Sequence, residues 1–270
     1  MKFLVLIPAR YESSRFPGKP LAKICGEEMI VRVCRQVAKT GFDLAVATDD
    51  ERIASTVEHA GFKAVMTSPD HSSGTERVEE AYRNLRSDAD VVINVQGDEP
   101  FIDPKQVRTL ADIFEREPET RIATLAMHFD KEEGFDALFD PNLVKLTFSK
   151  KNEALYFSRS IIPYVRKTDW KNWLKVADFY THIGIYAYRA ETLREIVALP
   201  ASALEKAESL EQLRWLDNGY RVKVGLTQKN TIGIDTPADL EKAERFLMEQ
   251  QGGEQQGERR FNNEVQKSSF

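Results

Sequence analysis

Short apolar runs recur through the first half of this chain, each followed by a stretch with helical spacing. That alternation restricts the fold more than any other feature. Phe3 to Ile7 is the first run and stops at Pro8; Leu44 to Ala47, Lys63 to Met66, Val91 to Val95 and Ile122 to Leu125 follow. The runs are brief, rich in branched residues and mostly continuous rather than alternating, as parallel strands buried on both faces are. Between them, Met29 through Val33 and Val37 read as an amphipathic helix ending near Gly41. Ile53 and Val57 mark a second helix, capped by Thr48 or an aspartate and ended by Gly61. A polar loop from Asp70 to Arg77 leads into a third helix through Val78, Ala81, Tyr82 and Leu85, and a fourth spans Pro104 to Phe114. Strand and helix in this order predict an α/β fold, a mostly parallel central sheet with helices on both faces.

The pattern changes at about Phe129. Val144 to Phe148 and Ile183 to Tyr188 alternate apolar and polar residues, which predicts antiparallel, half-exposed strands in a smaller lobe. Phe157 to Ser160 and the segment from Trp170 to Trp173 read as an irregular excursion between them. Leu210 to Leu216 is a short helix, and Val222 to Val224 returns to strand. Gly233-Ile234-Asp235-Thr236-Pro237 opens a last helix, with Thr236 as cap and Pro237 in its first turn. From Gln250 the chain is rich in Gln, Gly, Glu and Asn and poor in apolar residues, the composition of a disordered tail. No internal repeat is present.

Three cations stand on the loop after the first run: Arg10, Arg15 and Lys19, interleaved with Pro17, Gly18 and Pro20. Open α/β sheets bind ligands at the carboxyl ends of their strands. A stiff, glycine-containing loop lets backbone approach an anion, while arginine grips a polyphosphate bidentately and lysine acts as a point charge. The chain as a whole carries a net charge of −5, so the cations mark a local anion site rather than a nucleic-acid surface. Neither Gly-x-x-x-x-Gly-Lys-Ser/Thr nor Gly-x-Gly-x-x-Gly occurs at this place, which argues against a P-loop enzyme and a dinucleotide-dependent dehydrogenase. Asp98, in Gln96-Gly97-Asp98-Glu99-Pro100, lies just past the fourth run, on the same edge. Asp235 also follows a strand. Two carboxylates beside a phosphate site suit Mg²⁺, which takes one or two carboxylates together with substrate phosphates. His59, His71 and His128 show no zinc spacing. Cys25 and Cys34 make no disulfide framework, and each reads as a small core-filling residue of a protein in a reducing compartment. No window reaches the roughly 18 apolar residues of a membrane span, and no signal-peptide segment is seen, so a soluble cytoplasmic protein is expected.

Ile7-Pro8-Ala9-Arg10-Tyr11 followed by Arg15-Phe16-Pro17-Gly18-Lys19-Pro20-Leu21 resembles the signature of the sugar-acid cytidylyltransferases. His71 to Arg77, Asn94 to Pro100, Tyr156 to Arg159, His182 to Tyr186, Leu210 to Arg214 and Gly233 to Pro237 extend the resemblance, in the family's order, over residues 1 to about 248. The later motifs are similar to members that act on 3-deoxy-D-manno-octulosonate (Kdo). The resemblance implies a nucleotide-diphospho-sugar transferase-like fold and a Mg²⁺-dependent transfer of CMP from CTP to Kdo, ahead of lipopolysaccharide assembly. It also implies a homodimer. The domain so read spans 1–248: a nucleotide-binding half of about 1–128, a sugar-binding and dimerisation part of about 129–230, and a closing helix over 236–248, with the tail at 249–270. Pro8, Ala9, Arg10, Arg15, Lys19, Ser73, Gly74, Thr75 and Arg77 would surround the nucleotide, and Asp98 and Asp235 the metal. Gln96, Arg159, His182, Tyr186, Glu211 and Gln212 would face the sugar acid, Arg159 pairing with its carboxylate. Relatives of the same fold acting on 8-amino-Kdo or a sialic acid, and a catalytically silent nucleotide-binding module, are the competing readings.

Overall fold

The computed structural model describes residues 1–12, 16–229, 233–245 and 247–248. Arg15 and the tail, 249–270, lie outside the described residues. The strands are β1 (Phe3–Ala9), β2 (Lys23–Ile24), β3 (Glu27–Glu28), β4 (Asp43–Thr48), β5 (Ala64–Met66), β6 (Val91–Asn94), β7 (Ile122–His128), β8 (Lys145–Phe148), β9 (Ala154–Ser158), β10 (Tyr180–Arg189) and β11 (Val222–Thr227). The helices are α1 (Met29–Ala38), α2 (Glu51–His59), α3 (Gly74–Asn84), α4 (Pro104–Arg116), α5 (Gly134–Phe139), α6 (Trp173–Val176), α7 (Ala190–Val197), α8 (Ala203–Glu208) and α9 (Gln212–Asp217). Residues 237–245 are also helical, and the Thr236 hydroxyl accepts from the Asp239 N–H at 3.3 Å, the capping role expected of it.

Among the described residues nine strands form one sheet, ordered β11-β7-β10-β6-β1-β4-β5, with β8 attached to β10 and β9 to β8. All neighbours on the main path run parallel except β10, which is antiparallel to both β6 and β7. The antiparallel lobe is thus continuous with the central sheet. The continuous apolar runs have the cause expected of them. Along β1, Val5, Ile7 and Ala9 pack with Ile30, Val33 and Val37 of α1 and Val107 and Leu110 of α4. Leu4 and Leu6 point the other way, toward Val78 and Ala81 of α3. Each fully buried Val, Ile or Leu contributes about 1.5–3 kcal/mol, so two covered faces favour apolar residues along these strands, and a polar exception such as Thr124 is hydrogen-bonded to the Ile185 carbonyl.

Several boundaries differ from expectation. β1 runs through Pro8 to Ala9, pairing Pro8 with Ala47 and Ala9 with Thr48 of β4, whereas its pairing with β6 ends at Leu6 and Asn94. A proline is accommodated because only one neighbour remains beside it. α3 begins already at Gly74, inside the stretch read as loop. Ile183 to Tyr188 is not half-exposed. β10 lies in the middle of the sheet, with Ile183, Ile185 and Ala187 buried on one face and Tyr186 and Tyr188 on the other. Phe157 and Ser158 belong to strand β9 rather than to an irregular segment, and Cys25 is exposed in the turn between β2 and β3, where φ is +50°.

From β1 the chain passes through α1 to β4 on one side, and from β6 through α4 to β7 on the other, so it leaves the carboxyl ends of these adjacent strands in opposite directions along the sheet. Such a reversal opens a crevice between the two strand ends.

Candidate active site

The crevice is a cleft of about 250 Å³ lined by residues from four separate segments. Its floor is the end of β1, Pro8 and Ala9, with Arg10 exposed at the rim. The chain then loops and closes on itself through the Gly18 N–H, which donates to the Tyr11 carbonyl at 2.8 Å. Gly18 has φ +71°, and a Cβ there would lie 3.1 Å from the Tyr11 ring, so both the backbone conformation and the space favour glycine. A single 3-10 turn, Lys19–Leu21, follows and points Lys19 into the cleft.

Opposite, the turn after β6 carries Gln96, Gly97 and Asp98. A Cβ on Gly97 would stand 2.7 Å from the Pro8 carbonyl oxygen, so only glycine lets the two strand ends approach this closely. The Ile234 N–H donates to the Asp98 carbonyl at 3.0 Å, which ties the segment 233–235 to this turn and brings Asp235 beside Asp98. The Lys19 ammonium lies between the two carboxylates, 2.7 Å from Asp98 Oδ2 and 3.1 Å from Asp235 Oδ1. Two hard oxygen donors flanking one cation fit a divalent ion that completes its shell with phosphate oxygens. Among the described residues no group of three His, Cys, Asp or Glu side chains could hold such an ion alone.

The third wall is the start of α3. Ser73 caps the helix, its hydroxyl accepting from the Glu76 N–H at 3.2 Å while donating to Glu211 Oε1 at 3.1 Å. Thr75 donates to the other Glu211 oxygen at 2.6 Å. Ser73 and Gly74 line the cleft, so the positive end of this helix is presented to whatever anion enters. Burial pushes the Glu211 carboxyl above its ordinary range, and the two hydroxyls that donate to it pull part of the way back. Arg77 also borders the cleft, but its guanidinium is engaged: Nη2 meets Asp49 Oδ2 at 2.7 Å and Nη1 donates to Thr67 Oγ1 at 2.6 Å.

A family model described as cytidylyltransferase matches residues 4–259. The chain belongs to the cytidylyltransferase family. A Parabacteroides distasonis protein named 3-deoxy-manno-octulosonate cytidylyltransferase is 55% identical over 248 residues, covering 92% of this chain and 98% of that one. A Shewanella protein named 8-amino-3,8-dideoxy-manno-octulosonate cytidylyltransferase is 46% identical, covering 92% and 99%. The structure of CMP:2-keto-3-deoxy-manno-octonic acid synthetase complexed with CTP superposes with a TM-score of 0.84 at 40% identity, covering 93% of this chain and all of that one.

In this cytidylyltransferase the cleft gathers ten of the residues singled out from sequence: Pro8, Ala9, Arg10, Lys19, Ser73, Gly74, Arg77, Gln96, Asp98 and Asp235. Thr75, His182, Tyr186, Glu211 and Gln212 do not line it. Glu211 is bonded to Ser73 and Thr75 at the start of α3, and His182 and Tyr186 belong to a cluster of rings with Phe157, Tyr188 and Trp215. Their local geometry comes from β10, where two unpaired residues, Gly184 and Ile185, separate the pairings Ile183 with Leu125 and Tyr186 with Thr124. An even insertion keeps the alternation of faces, so His182 and Tyr186 remain on one side with ring centres 5.3 Å apart. Thr124 Oγ1 has a single proton and gives it to a carbonyl, Ile185 at 2.8 Å, so the 2.9 Å contact with His182 Nε2 needs the ring to donate. Burial depresses His182 to about 3, which leaves a neutral ring with its lone pair on Nδ1. Tyr186 packs on Trp215, and neither the Tyr186 hydroxyl nor the Trp215 N–H has a hydrogen-bond partner among the described residues.

Arg159 also lies outside the cleft lining. Its guanidinium donates to three carbonyls, from Nε to Glu208 at 2.6 Å, from Nη1 to Pro141 at 2.9 Å and from Nη2 to Ser209 at 3.3 Å. Among the described residues two of its five N–H groups remain for another acceptor. Sequence reasoning set His71 aside, yet it borders the cleft, hydrogen-bonded to Glu80, and Ser72 lines the cleft beside it. The spacing of His71, Glu76 and Glu80 along the start of α3 was the available signal.

Proposed function

We propose that this enzyme transfers CMP from CTP to the anomeric hydroxyl of Kdo, releasing pyrophosphate and supplying CMP-Kdo for lipopolysaccharide synthesis. The observation that carries the reading is the cation held between Asp98 and Asp235 at the foot of a cleft that also contains the start of α3. In the reaction the sugar oxygen bonds to the α-phosphorus, the bond from that phosphorus to the oxygen bridging to the β-phosphate breaks, and the hydroxyl proton passes to solvent. Such a displacement asks the protein for alignment and charge neutralisation rather than a covalent intermediate. Arg10, Arg15 and Lys19 neutralise the triphosphate and then the departing pyrophosphate, while Ser73 and Gly74 present the helix start to phosphate oxygens and Thr75 braces that start through Glu211. Pro8 and Ala9 form the floor against which the nucleotide lies.

Asp98 and Asp235 are the residues that hold Mg²⁺, which when bound neutralises phosphate charge and lowers the pKa of a coordinated hydroxyl. On the sugar side, the Tyr186 hydroxyl, without a hydrogen-bond partner among the described residues, and the neutral His182 ring support hydroxyl recognition, together with Gln96, Glu211 and Gln212. The two spare N–H groups of Arg159 suit the sugar carboxylate. Phe139, Tyr164, Trp170 and Val176 expose large apolar surface on the lobe from 134 to 176, which supports a homodimer formed there. Two unpaired cysteines agree with a cytoplasmic location.

The test is pyrophosphate release from CTP and Mg²⁺ with Kdo, 8-amino-Kdo or N-acetylneuraminate offered singly. Kdo-dependent release is expected. Preference for either other acid would keep the reaction and replace the sugar, and release with none would leave a nucleotide-binding module.

A further inference from the structure

Lys19 occupies the place where a divalent ion would be held. Its side chain is 14% exposed, and its two partners come from positions far along the chain, Asp98 and Asp235. The backbone beneath it is fixed: Gly18 donates to Tyr11, Ala22 donates back to Lys19 at 3.0 Å, and Met29 at the start of α1 donates to Ala22 at 2.8 Å. Only the four-carbon stem is left to move. A lysine ammonium is a compact point charge on such a stem and can exchange one oxygen set for another without backbone change. The carboxylates it neutralises are only two, and two are too few to bind Mg²⁺ firmly without phosphate oxygens.

We infer that Lys19 is a resident counter-ion which closes the divalent-cation position in the free enzyme and leaves it when a triphosphate enters. The inference rests on the nucleotidyl-transfer reading of this cleft. In the free enzyme an added ion meets a positive charge already seated between its donors. An entering triphosphate offers that charge stronger acceptors beside Arg10 and the start of α3, draws it off Asp98 and Asp235, and brings the remaining oxygens of the ion's shell. Metal affinity and nucleotide affinity are then coupled through one side chain. The free enzyme is protected from binding stray divalent ions and from holding a site of uncompensated carboxylates.

The experiment is Mn²⁺ titration of the nucleotide-free protein, followed by the electron paramagnetic resonance signal of free Mn²⁺, for the wild type, Lys19→Met and the double variant Lys19→Met with Asp98→Asn. Lys19→Met keeps the length of the stem and removes its charge. It is expected to bind Mn²⁺ more tightly than the wild type by a factor in the usual range of site coupling, about 5–150-fold, and the double variant is expected to lose that gain. Equal Mn²⁺ affinity in wild type and Lys19→Met overturns the inference. Should Lys19→Met be unstable, thermal melts decide: Mn²⁺ without nucleotide should raise its melting temperature more than that of the wild type, and an equal rise again overturns it. Pyrophosphate release by the wild type is scored separately, so a failed counter-ion role is distinguishable from a failed assignment of the reaction.

Discussion

Removing Asp49 should be far more costly than its position at a strand end suggests. The Arg77 side chain is 4% exposed and Asp49 13% exposed, and their 2.7 Å contact crosses from β4 to α3. In Asp49→Ala the guanidinium keeps its bond to Thr67 but sits as an uncompensated charge in a place with little water. Breaking a buried pair in this way costs about 3–5 kcal/mol. For a folded unit of this size each kcal/mol lowers the melting temperature by about 2–4 °C, so the expected loss is roughly 6–20 °C. Urea unfolding followed by circular dichroism gives the free energy directly. The double variant Asp49→Ala with Arg77→Met should recover most of the loss, because replacing both charges with packed apolar groups is often neutral. A cost below about 1 kcal/mol for Asp49→Ala is the ordinary value for a solvated surface pair and would refute the assignment of a buried one. The same variants separate two roles for Arg77. If its charge serves the α3 wall and not the nucleotide, the double variant retains a near wild-type KM for CTP.

Acid should expose His182. The unfolded ring titrates near 6.5 and the folded one at about 3, so on acidification the unfolded chain takes up the proton first. Its contribution is therefore constant above about pH 6.5 and becomes destabilising as pH falls from there toward 3, by at most about 1.4 kcal/mol per unit. The difference between wild-type and His182→Asn urea midpoints should shift progressively below pH 6.5, and a difference that stays constant with pH would sink the assignment of a neutral buried ring. Gly97→Ala forces a methyl group to within 2.7 Å of the Pro8 carbonyl. It should cost about 1–3 kcal/mol and raise the KM for CTP by moving the cleft floor, and an unaltered KM would show that the strand ends separate freely.

What was legible in the sequence was local. The apolar runs announce the parallel strands because burial on both faces leaves them few polar residues, Thr124 being one of the exceptions, and Gly-Lys-Pro and Gly-Asp-Glu announce the cleft because strand ends and turns are written in adjacent residues. Tyr186 and Tyr188 misled because their hydroxyls resemble a solvated face, whereas the rings stack within 6.0 Å of each other and pack edge-on against Trp215. The resemblance puts Arg77 at the nucleotide and Arg159 at the sugar carboxylate, and says nothing of what holds either guanidinium in the protein. Their engagements reach Asp49 and Glu208, 28 and 49 positions away, and no spacing rule relates such residues. The strand Ala154–Ser158 was hidden because Leu155 faces solvent and blurs its alternation.

The place of β10 between β6 and β7 also sets a clock on synthesis. On the main path of the sheet the neighbours of β7 are β10 and β11, both encoded after it. At about 5–20 residues per second, a ribosome that has just finished His128 needs roughly 3–12 s to reach Arg189. During that interval the apolar segment Ile122–Ala126 has emerged or is emerging with no strand to join. The nascent chain therefore completes the β1, β4, β5 and β6 ladder early and carries β7 as an unpaired edge. That window is where chaperone dependence, or loss to aggregation at high expression, should concentrate.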